Sequence, residues 1–295
     1  MEYRVGIDLG GTKTEILLLN SNQEVLLRER IPTDKSSYES ILHTIQNLYK
    51  KALSHIPSGK EFTLGMGIPG IIDPETDVVI NANTTILIGK PLKKDLEALL
   101  EHPIFIENDA NCFALAEAMA GAGKEFSFVF GVIMGTGCGG GFVMDKKIHR
   151  GRHGIAGEWG HFSIDPSGEQ CWCGNRGCIE TLISGSGVEN QYYKLTKEKI
   201  SMKEIVERAK KSLSPAKEVF EKFLDDYGRA VGGIISTFDP DVIVLGGGLS
   251  NIEELYTIGY EKVKKYTFYH NVKTPIKKNQ LGDSAGVFGA AWLGI

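Results

Sequence analysis

Two stretches of this chain carry the same pattern, and that repeat limits the possible folds more than any other feature. Residues 6–19 read Gly-Ile-Asp-Leu-Gly-Gly-Thr-Lys-Thr-Glu-Ile-Leu-Leu-Leu, and residues 131–144 read Gly-Val-Ile-Met-Gly-Thr-Gly-Cys-Gly-Gly-Gly-Phe-Val-Met. Each is an apolar strand, a Gly/Thr turn and a second apolar strand. They lie 125 residues apart, which implies a duplicated domain with one hairpin per half and a cleft between the halves. In this register Asp8 stands opposite Ile133, so only the first copy keeps a carboxylate.

The rest of the pattern is α/β. A length of 295 residues suits one large or two medium domains. Strands over 3–9, 14–19 and 24–31 form a β-meander. Tyr38, Ile41, Ile45, Leu48 and Leu53 recur near helical spacing and predict a helix over 36–55. Short strands are expected at 63–67, 78–81 and 104–107, with a helix at 91–100 and another from Asn108 to about Ala120. The second half opens with a strand at 127–134. Helices follow at 201–212 and 215–238, then a strand at 242–245 and a helix near Asn251. A domain boundary is expected near residues 108–125.

Several strand ends carry polar residues or glycines. Asp8-Leu-Gly10-Gly11-Thr12-Lys13 offers close-approaching backbone N–H groups, a hydroxyl, a cation and a carboxylate able to hold Mg2+. A polar hairpin turn is the plainer reading, since Gly-Gly is a common hairpin signal. The second turn strengthens the phosphate reading, because five glycines among the seven residues from Gly135 to Gly141 exceed what a hairpin needs. Glu107-Asn108-Asp109-Ala110-Asn111 sits between a strand and a helix. One Asn or Asp there is explained as an N-cap, but four polar residues in five are not. An Asp at such an edge is placed to accept a proton from a bound hydroxyl. Asn81-Ala-Asn83, the loop at Gly70 and Gly246-Gly247-Gly248 lie at other strand ends, where turns are the default. Two matches to G-x-G-x-x-G, at Gly65 and Gly135, lack the following helix, so neither is a dinucleotide-binding turn. No G-x-x-x-x-G-K-[ST] sequence occurs.

Between Glu158 and Glu180 lie His161, Cys171, Cys173 and Cys178, three of the chain's five cysteines within eight residues. A Cys3His set fits a tetrahedral structural zinc site, closed because four protein ligands leave no open position. Glu158 and Glu180 are carboxylates that such a site does not need. The segment 158–180 therefore reads as a metal-shaped loop that holds a polar ligand. Cys112 and Cys138 read as buried free thiols. The net charge of −4 shows no footprint for nucleic acid. No signal peptide or membrane span is visible, so a reducing cytoplasm is expected.

Together these motifs resemble the ROK family of sugar kinases, from residue 4 to the C-terminus. They are Asp8–Lys13, 107–111, Gly135-Thr-Gly-Cys-Gly, Gly157-Glu-Trp-Gly-His161, Cys171-x-Cys-Gly-x-x-Gly-Cys178-Ile-Glu180 and 241–248. The resemblance implies a two-domain actin-like/hexokinase ATPase fold, with 1–108 plus 284–295 as the smaller domain and 109–283 as the larger. It implies ATP phosphates at Gly10, Gly11, Thr12, Lys13, Gly135, Thr136, Gly137 and Gly139, with Asp8 near Mg2+ and adenosine near Gly246 and Gly247. Asn83, Asn108, Asp109, Glu158, His161 and Glu180 would line the sugar site, with Asp109 as general base. Homodimers are common in the family. Family repressors carry an added DNA-binding domain before the first phosphate strand. This chain starts at that strand and so resembles the kinases, a sugar-sensing regulator being the non-enzymatic alternative. Asn81–Thr85, Gly-Thr-Gly-Cys138 and Gly-Glu-Trp159-Gly-His resemble the manno-fructokinase branch, so fructose is the expected sugar. N-acetylglucosamine and N-acetylmannosamine kinases and glucokinases share most of the motifs.

Overall fold

The computed structural model describes residues 2–294. The chain divides into two compact units. One holds residues up to Gly121, Lys146–Ala156 and the chain from Leu281 onward; the other holds Ala122–Asp145 and Gly157–Gln280.

The first unit is a mixed sheet. Its strands are β1 (Tyr3–Leu9), β2 (Lys13–Asn20), β3 (Val25–Pro32), β4 (Phe62–Ile68) and β7 (Phe105–Asn108), in the order β3-β2-β1-β4-β7. β1 to β3 are antiparallel, while β4 runs parallel to both β1 and β7. The short hairpin of β5 (Gly70–Ile72) and β6 (Val79–Ala82) stands apart from that sheet. Helix α1 (Tyr38–Leu53) buries Tyr38, Ile41, Ile45, Leu48, Tyr49 and Ala52 at helical spacing. Ser37 and Ser40 cap its start reciprocally: Ser37 Oγ accepts the Ser40 N–H at 3.0 Å, and Ser40 Oγ accepts the Ser37 N–H at 3.1 Å. Helices α2 (Leu92–Leu100) and α3 (Asp109–Ala120) complete the first stretch.

The C-terminal helix Ala285–Ala291 returns to this unit and packs on β1, β4 and α3. Glycines let backbones come that close. A Cβ on Gly65 would lie 1.9 Å from the Ala290 carbonyl, and one on Gly6 would lie 2.4 Å from that of Val287. Val5, Ile7 and Leu9 alternate with Gly6 and Asp8 along β1 and are buried in the core with Ile41 and Ile45 of α1.

The second unit repeats the topology. β8 (Phe128–Met134) and β9 (Cys138–Met144) form an antiparallel hairpin; β10 (Lys147–Ile148), next in the chain, lies in the segment grouped with the first unit. β11 (Val242–Gly246) runs parallel to β8, and β12 (Ile276–Lys278) parallel to β11. Thus β9-β8-β11-β12 reproduces β2-β1-β4-β7. The 125-residue register holds in detail: Asp8 pairs with Gly67 of β4, and Ile133 pairs with Gly246 of β11. Helices α4 (Ile179–Ile183), α5 (Gly185–Thr196), α6 (Met202–Lys210), α7 (Ala216–Phe238) and α8 (Ile258–Tyr266) enclose the core around Phe130, Phe223 and Tyr227.

Four features differ from the sequence reading. Helix α3 and the segment 146–156 group with the first unit, so the first change of unit comes after Gly121, inside the expected 108–125 range but not at residue 108. Packing of α3 on the C-terminal helix and on β7 decides this. The turn at 135–141 is shorter than expected, because Gly139, Gly140 and Gly141 lie inside β9. At Gly140 a Cβ would meet both Phe130 and Trp159 at 2.9 Å, so the glycine makes room for aromatic packing. No α-helix starts near Asn251; short 3-10 turns precede α8. Helix α5 carried no sequence signal, because Gly185-Ser186-Gly187 opens it with poor helix formers.

These close approaches predict opposite outcomes for two glycine substitutions. Gly65→Ala, with no space for a methyl group, should destabilise by about 3 kcal/mol or more. Gly233→Ala, inside α7 with nothing within 4 Å of the new Cβ, should be neutral or stabilise by up to about 1 kcal/mol. Thermal unfolding of both variants checks the pair.

Candidate active site

In the first unit, β1 ends at a tight turn. The Gly10 N–H donates to the Lys13 carbonyl at 3.0 Å, and Thr33 Oγ1 donates to the Gly10 carbonyl at 2.8 Å. A Cβ on Gly10 would lie 2.7 Å from the Lys13 carbonyl oxygen, so only glycine fits there. Thr12 and Lys13 are exposed. Asp8 is enclosed by small neighbours: added Cβ atoms on Gly286 and Gly67 would lie 2.9 and 3.4 Å from its carboxylate. Burial, then the Asp109 and Glu15 carboxylates, push Asp8 up from 3.8 to about 7, against the pull of Arg30 and Lys13. A half-buried acid beside a second acid is a site that favours a cation or a shared proton. Glu15 behaves oppositely. Burial opposes its charge, but hydrogen bonds from Arg28 (2.7 Å) and Arg30 (2.9 Å) hold its carboxyl below the ordinary range.

The polar run 107–111 separates into framework and site. Glu107 accepts the Asn108 N–H at 2.9 Å and the Asn111 amide at 3.0 Å, and pairs with Arg150. Asn108 is the N-cap of α3: its side-chain oxygen accepts the Ala110 N–H at 2.9 Å and its amide donates to the Gly70 carbonyl at 3.2 Å. Asp109 follows at the first helical position, half-buried, with Oδ1 accepting the Ala110 N–H at 2.8 Å. Asn83 is exposed, and its N–H donates to the Pro69 carbonyl at 2.9 Å.

In the second unit the turn Gly135-Thr136-Gly137 closes with a 3.0 Å bond between the Gly135 N–H and the Gly137 carbonyl. The start of α5 ties to it, the Gly185 N–H donating to the Gly135 carbonyl at 2.8 Å. Gly139 and Gly246 are strand residues. Gly247 has φ +76, and a Cβ there would lie 2.3 Å from the Met134 carbonyl oxygen, so its presence is explained by the backbone alone.

The segment 157–161 lies against β9. Trp159 is buried, its Nε1–H donating to the Gly139 carbonyl at 3.1 Å and its ring meeting Phe130 edge-on. That anchor sets Glu158 beside Glu180. Burial, then the charge of Glu180, raise the Glu158 carboxyl above its ordinary range. Glu180 is held at both oxygens: Oε2 accepts the Cys138 N–H at 3.0 Å, and Oε1 accepts the Trp172 indole N–H at 2.8 Å. Trp172 was not singled out from sequence; only its place between two cysteines set it apart.

The ligating atoms of His161, Cys171, Cys173 and Cys178 all lie within 4.8 Å of one another. His161 Nδ1 is 3.6 Å from Cys171 Sγ, and the Cys173 and Cys178 sulfurs are 3.6 Å apart. Tetrahedral zinc, with bonds of about 2.3 Å to sulfur and 2.0 Å to nitrogen, needs S···S near ~3.8 Å and S···N near ~3.6 Å. A disulfide needs about 2.05 Å, and all five cysteines are free. The donor set therefore fits a metal. The glycines of this loop serve its shape: Gly174 and Gly177 have φ +97 and +60, and a Cβ on Gly177 would lie 1.6 Å from the Asp165 carbonyl oxygen. Cys112 and Cys138, away from the cluster, are buried. No helix among the described residues is long and apolar enough to cross a membrane.

The motifs at 8–13, 107–111, 135–137 and 158–180 occur together on this duplicated fold, and the family model for "ROK family" matches residues 4–295. The chain belongs to the ROK family. It is 39% identical over 98% of each chain to the N-acetyl-D-glucosamine kinase of Haemophilus influenzae, and 40% identical, again over 98% of each, to that of Mannheimia succiniciproducens. The ROK hexokinase of Thermus thermophilus superposes with a TM-score of 0.89 at 28% identity, covering 98% of this chain and 96% of its own. The α/β fold is therefore the hexokinase-like one of the actin-like ATPases. These two relatives, matched at near-full length, are N-acetylglucosamine kinases and not members of the manno-fructokinase branch.

The state of Asp8 gives a test. A carboxyl raised to about 7 in the fold costs stability as pH rises from 3.8 through 7, and that cost is fully present above 7. Asp8→Asn should therefore raise the melting temperature at pH 8, with a gain in stability of up to about 4 kcal/mol. About four-fifths of the gain should remain at pH 6.5 and about two-fifths at pH 5. Thermal unfolding at the three pH values checks it.

Proposed function

We propose that this sugar kinase transfers the γ-phosphoryl group of ATP to a hydroxyl of N-acetylglucosamine. The observation that carries phosphoryl transfer is the pairing of Asp8 with Asp109 beside the Gly10–Thr12 turn. One half-buried acid suited to a cation and one acid at a helix start are the two carboxylates the reaction needs. The choice of sugar rests on the near-full-length likeness to N-acetyl-D-glucosamine kinases.

In this reading Asp109 is the general base that takes the proton of the attacking sugar hydroxyl. Backbone N–H groups of the turns at 10–12 and 135–137, with Thr12, Thr136 and Lys13, hold the phosphates. Mg2+, carried with the nucleotide and met by Asp8, would neutralise charge on the phosphate oxygens. Adenosine would rest near Gly246 and Gly247. Glu158, His161 and Glu180 contact sugar hydroxyls, with Asn83 and Asn108 as further polar partners. Zinc is the metal we assign to His161, Cys171, Cys173 and Cys178, in a structural role. With Nδ1 turned to the cysteines, the His161 ring has Nε2 left for the sugar, and its orientation would be set by the metal.

Fructose is the second reading, favoured by Asn81–Thr85, Cys138 and Trp159. Trp159 and Cys138 are buried side chains behind the surface. Their effect on sugar choice is indirect, which leaves exposed Asn83 as the direct mark.

An ADP-release assay with MgATP and a panel of N-acetylglucosamine, N-acetylmannosamine, glucose, mannose and fructose tests the reading. The highest kcat/KM is expected with N-acetylglucosamine. Preference for fructose would transfer the assignment to the second reading, and no release with any sugar would favour a sugar sensor. Asp109→Asn should lower kcat by about 10^2 to 10^4 while sugar affinity is kept; unchanged turnover would exclude Asp109 as the base.

A further inference from the structure

We propose that Trp172 is a positioning residue for the sugar-contacting carboxylate of Glu180, linking the metal-bound loop to that side chain through one hydrogen bond. The inference rests on the assignment of Glu180 to the sugar site.

Trp172 stands between two metal-site cysteines. Its backbone is set by the turn they form, in which the Cys171 N–H donates to the Asn175 carbonyl at 2.8 Å and the Gly174 N–H to the Cys171 carbonyl at 3.1 Å. Its indole N–H reaches Glu180 Oε1 at 2.8 Å, and its ring meets the His161 imidazole edge-on, with centroids 4.7 Å apart. The ring is 65% exposed, whereas Trp159 and Trp292 are each 5% exposed. Trp172 therefore adds little to the core, and its partners are the two side chains assigned to the sugar.

A glutamate has three side-chain torsions, and ordering it costs about 1.5–2 kcal/mol. The Cys138 N–H on Oε2 leaves rotation about that single contact. The indole N–H on Oε1 removes it, so the carboxylate has one orientation before sugar arrives. A carboxylate accepts about four hydrogen bonds, and two protein donors leave capacity for sugar hydroxyls. The same two donors place Glu180 between the metal loop and the turn at 135–137.

A double-mutant cycle tests this, read as sugar affinity from the sugar-dependent shift in melting temperature and as KM where turnover is measurable. Trp172→Phe keeps a ring beside His161 and removes only the N–H. It should weaken sugar binding about tenfold, as for one lost hydrogen bond to a charged group. The KM for ATP, bound metal and the melting temperature without sugar should be unchanged. In a Glu180→Ala background the same substitution should have no further effect on sugar affinity. Unchanged affinity in Trp172→Phe would overturn the proposal, as would equal losses in both backgrounds or loss of metal from the variant. Wild-type protein inert toward every sugar would overturn the kinase reading and the proposal with it, whereas an active wild type beside an unaffected variant overturns the proposal alone.

Discussion

The second unit's site depends on four side chains meeting at one point. Nothing in regular secondary structure would hold residues 158–180, a segment with one 3-10 turn and isolated bridges, in a single conformation. The convergence of His161, Cys171, Cys173 and Cys178 supplies that constraint. It turns His161, sets the turn bearing Trp172 and delivers Cys178 as the N-cap of α4, so that Glu180 falls in the first turn of that helix. The buried Cys178 sulfur is unfavourable as a thiolate without a cation: burial, then the neighbouring thiols, push it up to about 12. A bound metal removes that cost by holding the sulfurs deprotonated.

Duplication provides the frame, and divergence provides the chemistry. Both hairpins end in turns that present backbone N–H groups, but their acids differ. In the first unit Asp8 lies in β1 itself, with Gly67 and Gly286 leaving room for its carboxylate. In the second, Ile133 holds the equivalent place. The acid beside that turn comes instead from Glu180, whose carboxylate accepts the N–H of Cys138, the first residue of β9. A Cβ on Gly137 would lie 2.8 Å from this carboxylate, so that glycine is needed for the approach. One hairpin thus carries an acid suited to a cation, and the other donates its Cys138 N–H to an acid from another segment, Glu180.

Much of this was legible in the sequence because it rests on local rules. Strand–turn–strand repeats, the helical spacing of Ile41, Ile45 and Leu48, and the His/Cys spacing each reflect chemistry within a short segment. What was not legible depends on contacts far apart in the chain. Gly139–Gly141 read as turn residues, yet they are strand residues fitted to Phe130, Trp159 and the backbone at Gly157. The start of α5 is a helix because Ser184 caps it and the Gly135 carbonyl takes one of its N–H groups. Glu107 and Asn111 looked like site residues, but they brace each other and Arg150. The likeness to the manno-fructokinase branch rests partly on Trp159 and Cys138, and the sequence does not show that both are buried.

The central claim is that a metal shapes the loop that carries Glu158, His161 and Glu180. Zinc K-edge absorption spectroscopy on the purified protein tests it most directly. The account predicts one zinc per chain, with three sulfurs at about 2.3 Å and one nitrogen at about 2.0 Å. A metal-free protein that retains full activity, or a shell of oxygen ligands, would contradict it.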